Sequence, residues 1–592
     1  MSRSAEEYAD AIAAQQQYSI VDNQEKKVTF EDLGLHPPIV ASLRTAFPNV
    51  QHPTETQSKF IPAILGEKDV LLKDETGSGK SFGLMVALLN KPRLKSMEKR
   101  GNKNQERRHI TSLVIVPHRD LAYQLLHWVE RMVNAVQGSP PPAIESIAQV
   151  LVRDGGQHLT TGFLKLEKTV PHILIGTPQA LMDVYKQDPN ALQLSHLSSV
   201  VVDEVDYLIE TVPKKSPGKS FRGSYEKANK KLKAHPGATR ELLDLIYYGR
   251  KEVNERRRDE PGLAQYDRSS GQADDCQFYP PAPQLILSSA TLRVHLNNYL
   301  FDESGWLNRD NLVKVRGFNR SPQRGMRNPA PLTGGEESLR DSLGGRGISH
   351  SVLLVSELGI RNVSGARRPT ASVTTDVGTP LTPEVVFGSP VVPDNEGMDP
   401  RLAEKYARSV SPFNPNTFEA IATAFALDVP SVALLVLPAS APLQRAIYEL
   451  REMGVNAHGL DLLANDKGRS HLLSGGGTVQ ENPTLLVSTL ATTRGLDLPE
   501  LTHVFILGIP EGPKVSGRSV DAYLHLAGRV GRFGRGGKVI TVVEEKEDAE
   551  EHEEETDEED RRRRRAVVTD ASKMMRILKE IQTTPVQFEH FD

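Results

Sequence analysis

Cysteine is almost absent from this 592-residue chain. The single residue, Cys276, excludes an internal disulfide framework and any zinc site built from several cysteines. Long apolar runs are missing as well. The longest candidates, such as Ser431 to Leu437, fall far short of the roughly 18–20 residues that a membrane-spanning helix requires, so no membrane insertion is expected. A large net charge is also lacking: the balance is −4, which taken alone argues weakly against nucleic acid. That balance is uneven. Glu544 to Asp560 holds thirteen acidic residues and one lysine, which leaves the remainder of the chain at +8. A mild basic excess permits phosphate binding without demonstrating it. The opening residues, MSRSAEEYADAIAAQQQ, show neither an apolar signal core nor the Arg-rich, acid-poor composition of a mitochondrial transit peptide. Any targeting segment is expected to have been removed already.

Length alone calls for two or more domains. Two regions alternate short apolar runs with helix-like patterns, which predicts an α/β fold with parallel sheets. In the first, the strand candidates are Asp69 to Leu72, Ser112 to Val116, His172 to Ile175, Ser199 to Val202 and Gln284 to Leu287. In the second they are Ser351 to Val355, Val432 to Leu437, Thr484 to Val487, His503 to Leu507 and Lys538 to Val542. The expected organisation is an N-terminal tail (1–29), a first domain (30–305) with a polar insertion at about 211–283, a linker (306–347), a second domain (348–543) with an insertion at about 363–400, and a charged C-terminal tail (544–592). Some helix is expected around Arg240 to Tyr248. A solvated helix or disordered tail is the ordinary reading of the acidic run and of Arg561 to Arg565 behind it.

The run Asp69-Val-Leu-Leu-Lys73-Asp-Glu-Thr-Gly-Ser-Gly-Lys-Ser81 joins a strand to a helix through a glycine-rich loop. Gly77 and Gly79 let backbone N–H groups turn toward an anion, and the helix N-terminus behind them adds favourable partial charge. Lys80 would reach the β- and γ-phosphates and the Ser81 hydroxyl would ligate Mg2+. Asp74 stands where the general pattern has its first glycine. Downstream, Val200-Val-Val-Asp-Glu-Val-Asp-Tyr207 is an apolar strand that ends in carboxylates. There Asp203 would hold the metal through water, and Glu204 would orient or deprotonate an attacking water.

With these motifs in this order, the chain resembles the DEAD-box RNA helicases, over both α/β regions but not the insertions or the tail. Phe30 and Pro53-Thr-Glu-Thr-Gln57 are similar to the family's adenine-reading motif, which implies that Gln57 grips the base edge and Phe30 packs on it. Thr76, Gly77, Ser78, Gly79, Lys80, Ser81 and Asp497 complete the ATP contacts that the resemblance implies, with Ser81 and Asp203 on the metal. Pro117, Arg119, Gly155, Gly156, Thr177, Pro178 and Thr489 match strand-gripping positions. Ser289, Thr291, Asp206 and His525 match positions that couple the domains. Arg529 and Arg532, in His525-Leu-Ala-Gly-Arg-Val-Gly-Arg532, resemble arginine fingers, grouped with Lys80, Asp203 and Glu204 as the catalytic set.

The resemblance implies two tandem RecA-like domains that close on ATP, Mg2+ and single-stranded or duplex RNA, with little sequence preference because the grip is on the backbone. It also implies a monomer. The divergent spelling is most similar to the fungal mitochondrial helicases of large ribosomal subunit assembly, which implies the mitochondrial matrix, ribosomal RNA and ribosomal proteins. An RNA-remodelling ATPase, an ATP-gated RNA clamp or assembly factor with little unwinding, and a DNA translocase all remain open. The departures are Asp74, His118, Ala180, Leu490 and Leu526. The residues that Leu490 and Leu526 replace, an aspartate and an arginine, suggest an ion pair exchanged for an apolar one. The loss of an arginine at Ala180 implies a weaker RNA grip.

Overall fold

The computed structural model describes residues 28–100, 103–136, 141–153, 158–212, 219–252, 282–317, 347–368, 398–460, 483–496, 498, 501–511, 517–531, 536–545 and 569–591. In chain order the strands of the first half are β1 (Asp69–Lys73), a hairpin of β2 (Lys95–Arg100) and β3 (Lys103–Arg108), then β4 (Ser112–Ile115), β5 (Ala148–Leu151), β6 (Ile173–Gly176), β7 (Ser199–Asp203), β8 (Gln284–Ser289) and β9 (Leu312–Arg316). Seven of them form a sheet in the order β5-β6-β4-β7-β8-β1-β9, with every pairing parallel. The apolar runs are nearly continuous because both faces are covered. Side chains alternate between the faces: Val70, Leu72, Val201 and Ile286 enter one apolar cluster. Leu71, Val200, Val202, Leu285 and Leu287 enter the other.

The second half repeats the plan with β10 (Ile348–Ser356), β11 (Gly359–Asn362), β12 (Val432–Leu437), β13 (Ala457–Gly459), β14 (Thr484–Thr489), β15 (Leu501–Leu507) and β16 (Gly537–Glu544). Their order is β11-β10-β16-β15-β12-β14-β13. Only the β10–β11 pairing is antiparallel. Each expected strand coincides with an observed one to within a few residues.

Three boundary expectations need correction. The segment 306–347 is not all linker, because β9 pairs along the whole of β1 and closes the edge of the first sheet. The segment 211–283 is not all insertion: the helix Ala238–Ile246 buries Leu242 and Leu243, and Tyr247 behind it is also buried. The segment 544–592 is not all tail. Its helix Asp570–Glu580 places Met574, Ile577 and Leu578 at zero exposure in the second-domain core. Val586 then donates its N–H to the His350 carbonyl at 2.7 Å. An amphipathic stripe of this kind is hard to see behind a run of like charge. Cys276 and the acidic run from residue 546 lie outside the described residues.

Parallel strands deliver their following loops to one edge, so the turns after β1, β7 and β8, which are neighbours in the sheet, converge at the carboxyl edge. The C-terminal helix supports the second domain from behind. Ile577→Ala is expected to cost about 2–5 kcal/mol of second-domain stability through the cavity it leaves. A denaturant midpoint unchanged from the native chain would mean that this helix is an appendage after all.

Candidate functional site

The phosphate loop is shaped by two left-handed residues, Gly77 (φ +82°) and Gly79 (φ +81°). A side chain at Gly79 is doubly excluded: an added Cβ would fall 2.6 Å from the Gln57 amide nitrogen. That amide is part of a capping box. Thr54 accepts the Gln57 backbone N–H at 3.2 Å, and Gln57 Oε1 accepts the Thr54 N–H at 2.9 Å. Gln57 Nε2 then donates to the Gly79 carbonyl at 2.9 Å. The helix Glu55–Leu65 is thereby tied to the loop. Both ends of the Gln57 amide are engaged within the protein, and Phe30 is 1% exposed inside the first-domain core. The Phe30 ring packs in the first-domain apolar cluster.

Lys80 donates to the carbonyls of Asp74 (2.7 Å) and Glu75 (2.5 Å) and to the Ser78 hydroxyl (3.4 Å). Burial lowers its pKa, while Glu204, Asp74 and Asp203 act to keep it charged. Asp74 has a local task. Its carboxylate accepts the Thr56 hydroxyl at 2.5 Å and the Glu75 N–H at 2.8 Å, bracing the turn where the general pattern uses a flexible glycine. It also crowds Gly317, where an added Cβ would meet Asp74 Oδ1 at 1.8 Å.

Across the edge of the sheet, Ser81 donates to Asp203 Oδ2 at 2.6 Å and Ser288 donates to Oδ1 at 2.8 Å. Glu204 takes a left-handed backbone (φ +56°), which turns the chain sharply after β7. Burial, then the adjacent Glu204 charge, raises the Asp203 pKa. Two buried neighbouring carboxylates beside a serine hydroxyl form a hard-oxygen donor set, which fits a divalent cation such as Mg2+. A bound cation would offset the cost of holding both acids ionised.

The second domain meets this edge at one buried carboxylate. Asp206 accepts hydrogen bonds from Ser289 and Thr291 of its own domain, both at 2.7 Å, and from Arg494 of the other at 3.3 Å. His525 Nε2 lies 3.5 Å from it. Burial alone would raise the Asp206 pKa, but the His525 hydrogen bond and charge, with the Arg494 guanidinium, hold it well below the usual carboxylate range. The other ring nitrogen, His525 Nδ1, faces Glu204 Oε2 at 3.8 Å. Both atoms are buried and lack a protein hydrogen-bond partner among the described residues. Two such atoms facing each other beyond direct bonding distance are positioned to share a water.

Other expected residues are placed differently. Arg529 is 2% exposed, and it donates to the carbonyls of Leu496 and of His525 (3.0 Å). Its charge also acts on the Lys80 ammonium of the first domain. Thr177 and Pro178 are buried at the start of a helix whose exposed neighbour is Gln179. Ala180, where the family has an arginine by resemblance, has zero exposure. Pro117 and Arg119 are half-buried, as is Thr489, whose hydroxyl lies 3.3 Å from that of Thr492. Thr76 reaches the Gly528 carbonyl at 3.3 Å. Gly155, Gly156, Asp497 and Arg532 lie outside the described residues. Leu526 is buried in the second-domain core and Leu490 packs against the same cluster.

Sequence reasoning missed the structural part of His118. Its Nδ1 accepts the Leu121 N–H at 3.3 Å, capping the helix Arg119–Asn134. Its Nε2–H therefore points outward, and it donates to the Arg494 carbonyl of the second domain. Burial lowers its pKa to about 4, so the neutral ring persists through the physiological range. An N-cap position directly after a strand was the available signal. Ser288 and the Arg293–Asp521 ion pair across the domains had none.

Two parallel sheets with a phosphate-type loop, paired carboxylates and an interdomain carboxylate hub define a tandem RecA-like nucleotide-binding protein. Family models agree: a DEAD/DEAH box helicase domain matches residues 54–241, and a helicase conserved C-terminal domain matches residues 441–534. The chain is thus similar to the DEAD-box helicases over a stretch of each half. Among its relatives are the probable ATP-dependent RNA helicase DDX28 of Mus musculus, 31% identical over 35% of this chain and 36% of that protein, and its Homo sapiens counterpart, 33% identical over 33% and 34%. DEAD-box ATP-dependent RNA helicase 47, mitochondrial, of Arabidopsis thaliana is 29% identical over 31% of each. The matched region thus spans about a third of these relatives. Solved structures of Mss116p bound to ssRNA and AMP-PNP (17% identity, 88% of this chain and 76% of that one, TM-score 0.50) and of S. cerevisiae Dbp5 bound to RNA and ADP BeF3 (15%, 93% of each, 0.50) share the fold.

The hub gives a direct test. Asp206→Asn strands the Arg494 guanidinium in a buried site, and breaking such a pair costs about 3–5 kcal/mol. The closed arrangement should be lost while the first domain stays folded. Fluorophores on the two domains should report a longer separation than in the native chain under identical conditions, and an unchanged distance would show that Asp206 does not hold the domains together.

Proposed function

We propose that this chain is an RNA-dependent ATPase that remodels RNA or RNA–protein complexes, and that it works in mitochondria on the assembling large ribosomal subunit. The observation that carries the ATPase reading is the apposition of Glu204, with the Lys80–Ser81–Asp203 set behind it, to His525 of the second domain. The mitochondrial setting rests on resemblance, supported by one mitochondrial relative.

ATP with Mg2+ supplies an activated γ-phosphoryl group and the charge that closes the domains on it. Lys80 exchanges its two neutral carbonyl partners for phosphate oxygens, which are stronger acceptors. Ser81 and Asp203 would hold the cation. Glu204 and His525 orient the attacking water between them, and Glu204 takes its proton. Phosphoryl transfer depends on such positioning and on charge stabilisation. Arg529, which also orders the backbone around His525, and Arg532 supply positive charge to the transferring group. By resemblance, Pro117, Arg119, Gly155, Gly156, Thr177, Pro178 and Thr489 contact the RNA, and a grip on the sugar-phosphate backbone tolerates any sequence. Gln57 signals nucleotide occupancy to the helix Glu55–Leu65 through the loop carbonyl it already holds.

Steady-state ATP turnover of the purified chain should rise with added RNA and not with DNA of the same sequence; equal stimulation by both would point to a DNA translocase, and tight RNA binding without turnover to a clamp. Lys80→Ala is expected to abolish hydrolysis, since the phosphates lose their counter-charge. Glu204→Gln keeps the shape but loses the proton acceptor, so turnover should fall at least 100-fold, the lower range for general-base loss (~10²–10⁴), while ATP-dependent RNA binding persists. Release of RNA from that variant as fast as from the native chain would remove Glu204 from this role.

A further inference from the structure

The helix Gly517–Ala527 is the element of the second domain that carries His525. Arg518, Asp521 and His525 are spaced three and four residues apart, so they share one face of it. Each meets a different first-domain residue. Arg518 pairs with Glu210 at 3.2 Å, Asp521 pairs with Arg293, and His525 Nε2 lies 3.5 Å from Asp206. The partners come from two turns. Asp206 and Glu210 follow β7 and Arg293 follows β8, and these strands are parallel neighbours.

The contacts are unequal. The Arg518–Glu210 pair is exposed, and solvent screens it. Arg293 and Asp521 keep only 25% and 10% of their side chains exposed. Burial raises the Asp521 pKa, and the Arg293 charge is the main influence that opposes it. Lys73, at the end of β1, also interacts with the Asp521 charge. A carboxylate of the second domain is thus lodged among cations of the first. Along the helix face a cation, an anion and an imidazole meet an anion, a cation and an anion. A slip of one helical turn, about 5.4 Å, would bring Asp521 against Asp206 and Arg518 against Arg293. The opposite slip would bring Asp521 against Glu210. These are like-charge meetings, so the wrong registers are opposed while the right one is favoured.

We propose that Arg293 is a positioning residue: by holding Asp521 it sets the register of the helix Gly517–Ala527, and so places His525, one turn further along, against Glu204 and Asp206. Thr291, two residues before Arg293, has its hydroxyl 3.4 Å from His525 Nε2. One short segment after β8 therefore touches the helix on two successive turns. The inference rests on the reading that Glu204 and His525 orient the attacking water.

The test compares Arg293→Gln, Asp521→Asn, their combination and Arg293→Lys in the full chain, with ATP and RNA saturating. A misplacement of about 1 Å can cost ~10²-fold in rate, so each neutral single variant should lower kcat by roughly 10- to 100-fold. The combination should fall no further than the worse single variant, because both act through one contact. Arg293→Lys should recover most of the loss. ATP affinity without RNA and the thermal midpoint should stay as in the native chain, which a merely structural role for the pair would not allow. Fluorophores on the two domains should show the same pattern in the interdomain separation. Native kcat in either single variant would overturn the proposal, as would losses that multiply in the combination or a lysine variant no better than glutamine. Absence of turnover in the native chain would instead remove the ATPase reading. The separations would then judge the register, and native values in every variant would overturn it.

Discussion

The buried carboxylate of Asp206 is the constraint around which the two halves of this protein are arranged. It satisfies Ser289 and Thr291 on its own sheet edge and Arg494 on the other domain, with His525 beside it. An ionised acid in so enclosed a place is tolerable only while its donors are present. Closure is consequently an electrostatic requirement as much as a packing event. The same contact that joins the domains carries His525 to Glu204, so this apposition and the interdomain contact are assembled together.

The residues that depart from the family spelling fall into a physical order once their surroundings are known. Asp74 replaces a flexible glycine with a carboxylate that binds Thr56 and the Glu75 N–H. The loop gives up conformational freedom and gains a brace. His118 uses both ring nitrogens, one to cap a helix and one to meet Arg494 of the second domain. It adds an uncharged link beside the charged hub. Ala180 is simply core, and Leu490 and Leu526 share one apolar cluster. Asp74 braces the loop and holds Lys80 through its carbonyl, and His118 thickens the interdomain contact.

What the sequence determined by itself was whatever depends on short-range order. The parallel strands were legible because two-sided burial forces continuous apolar runs such as Val432 to Leu437. The phosphate loop and the carboxylate turn were legible because glycine at positive φ and an acid at a strand end are local demands. Gln57 and Phe30 were found as a motif, yet the work that the structure shows them doing, holding Gly79 and filling the core, was not evident from their spacing. Tertiary structure alone decided that Leu312–Arg316 is an edge strand, since a strand this short is defined by its partner β1. It also decided that Asp570–Glu580 belongs to the second domain, since a stripe is buried only where another surface meets it. The same holds for the pairing of His118 with Arg494 and of Glu204 with His525, residues more than 300 positions apart. Contacts of that kind have no local signature, because they exist only when two independently folded sheets are brought edge to edge.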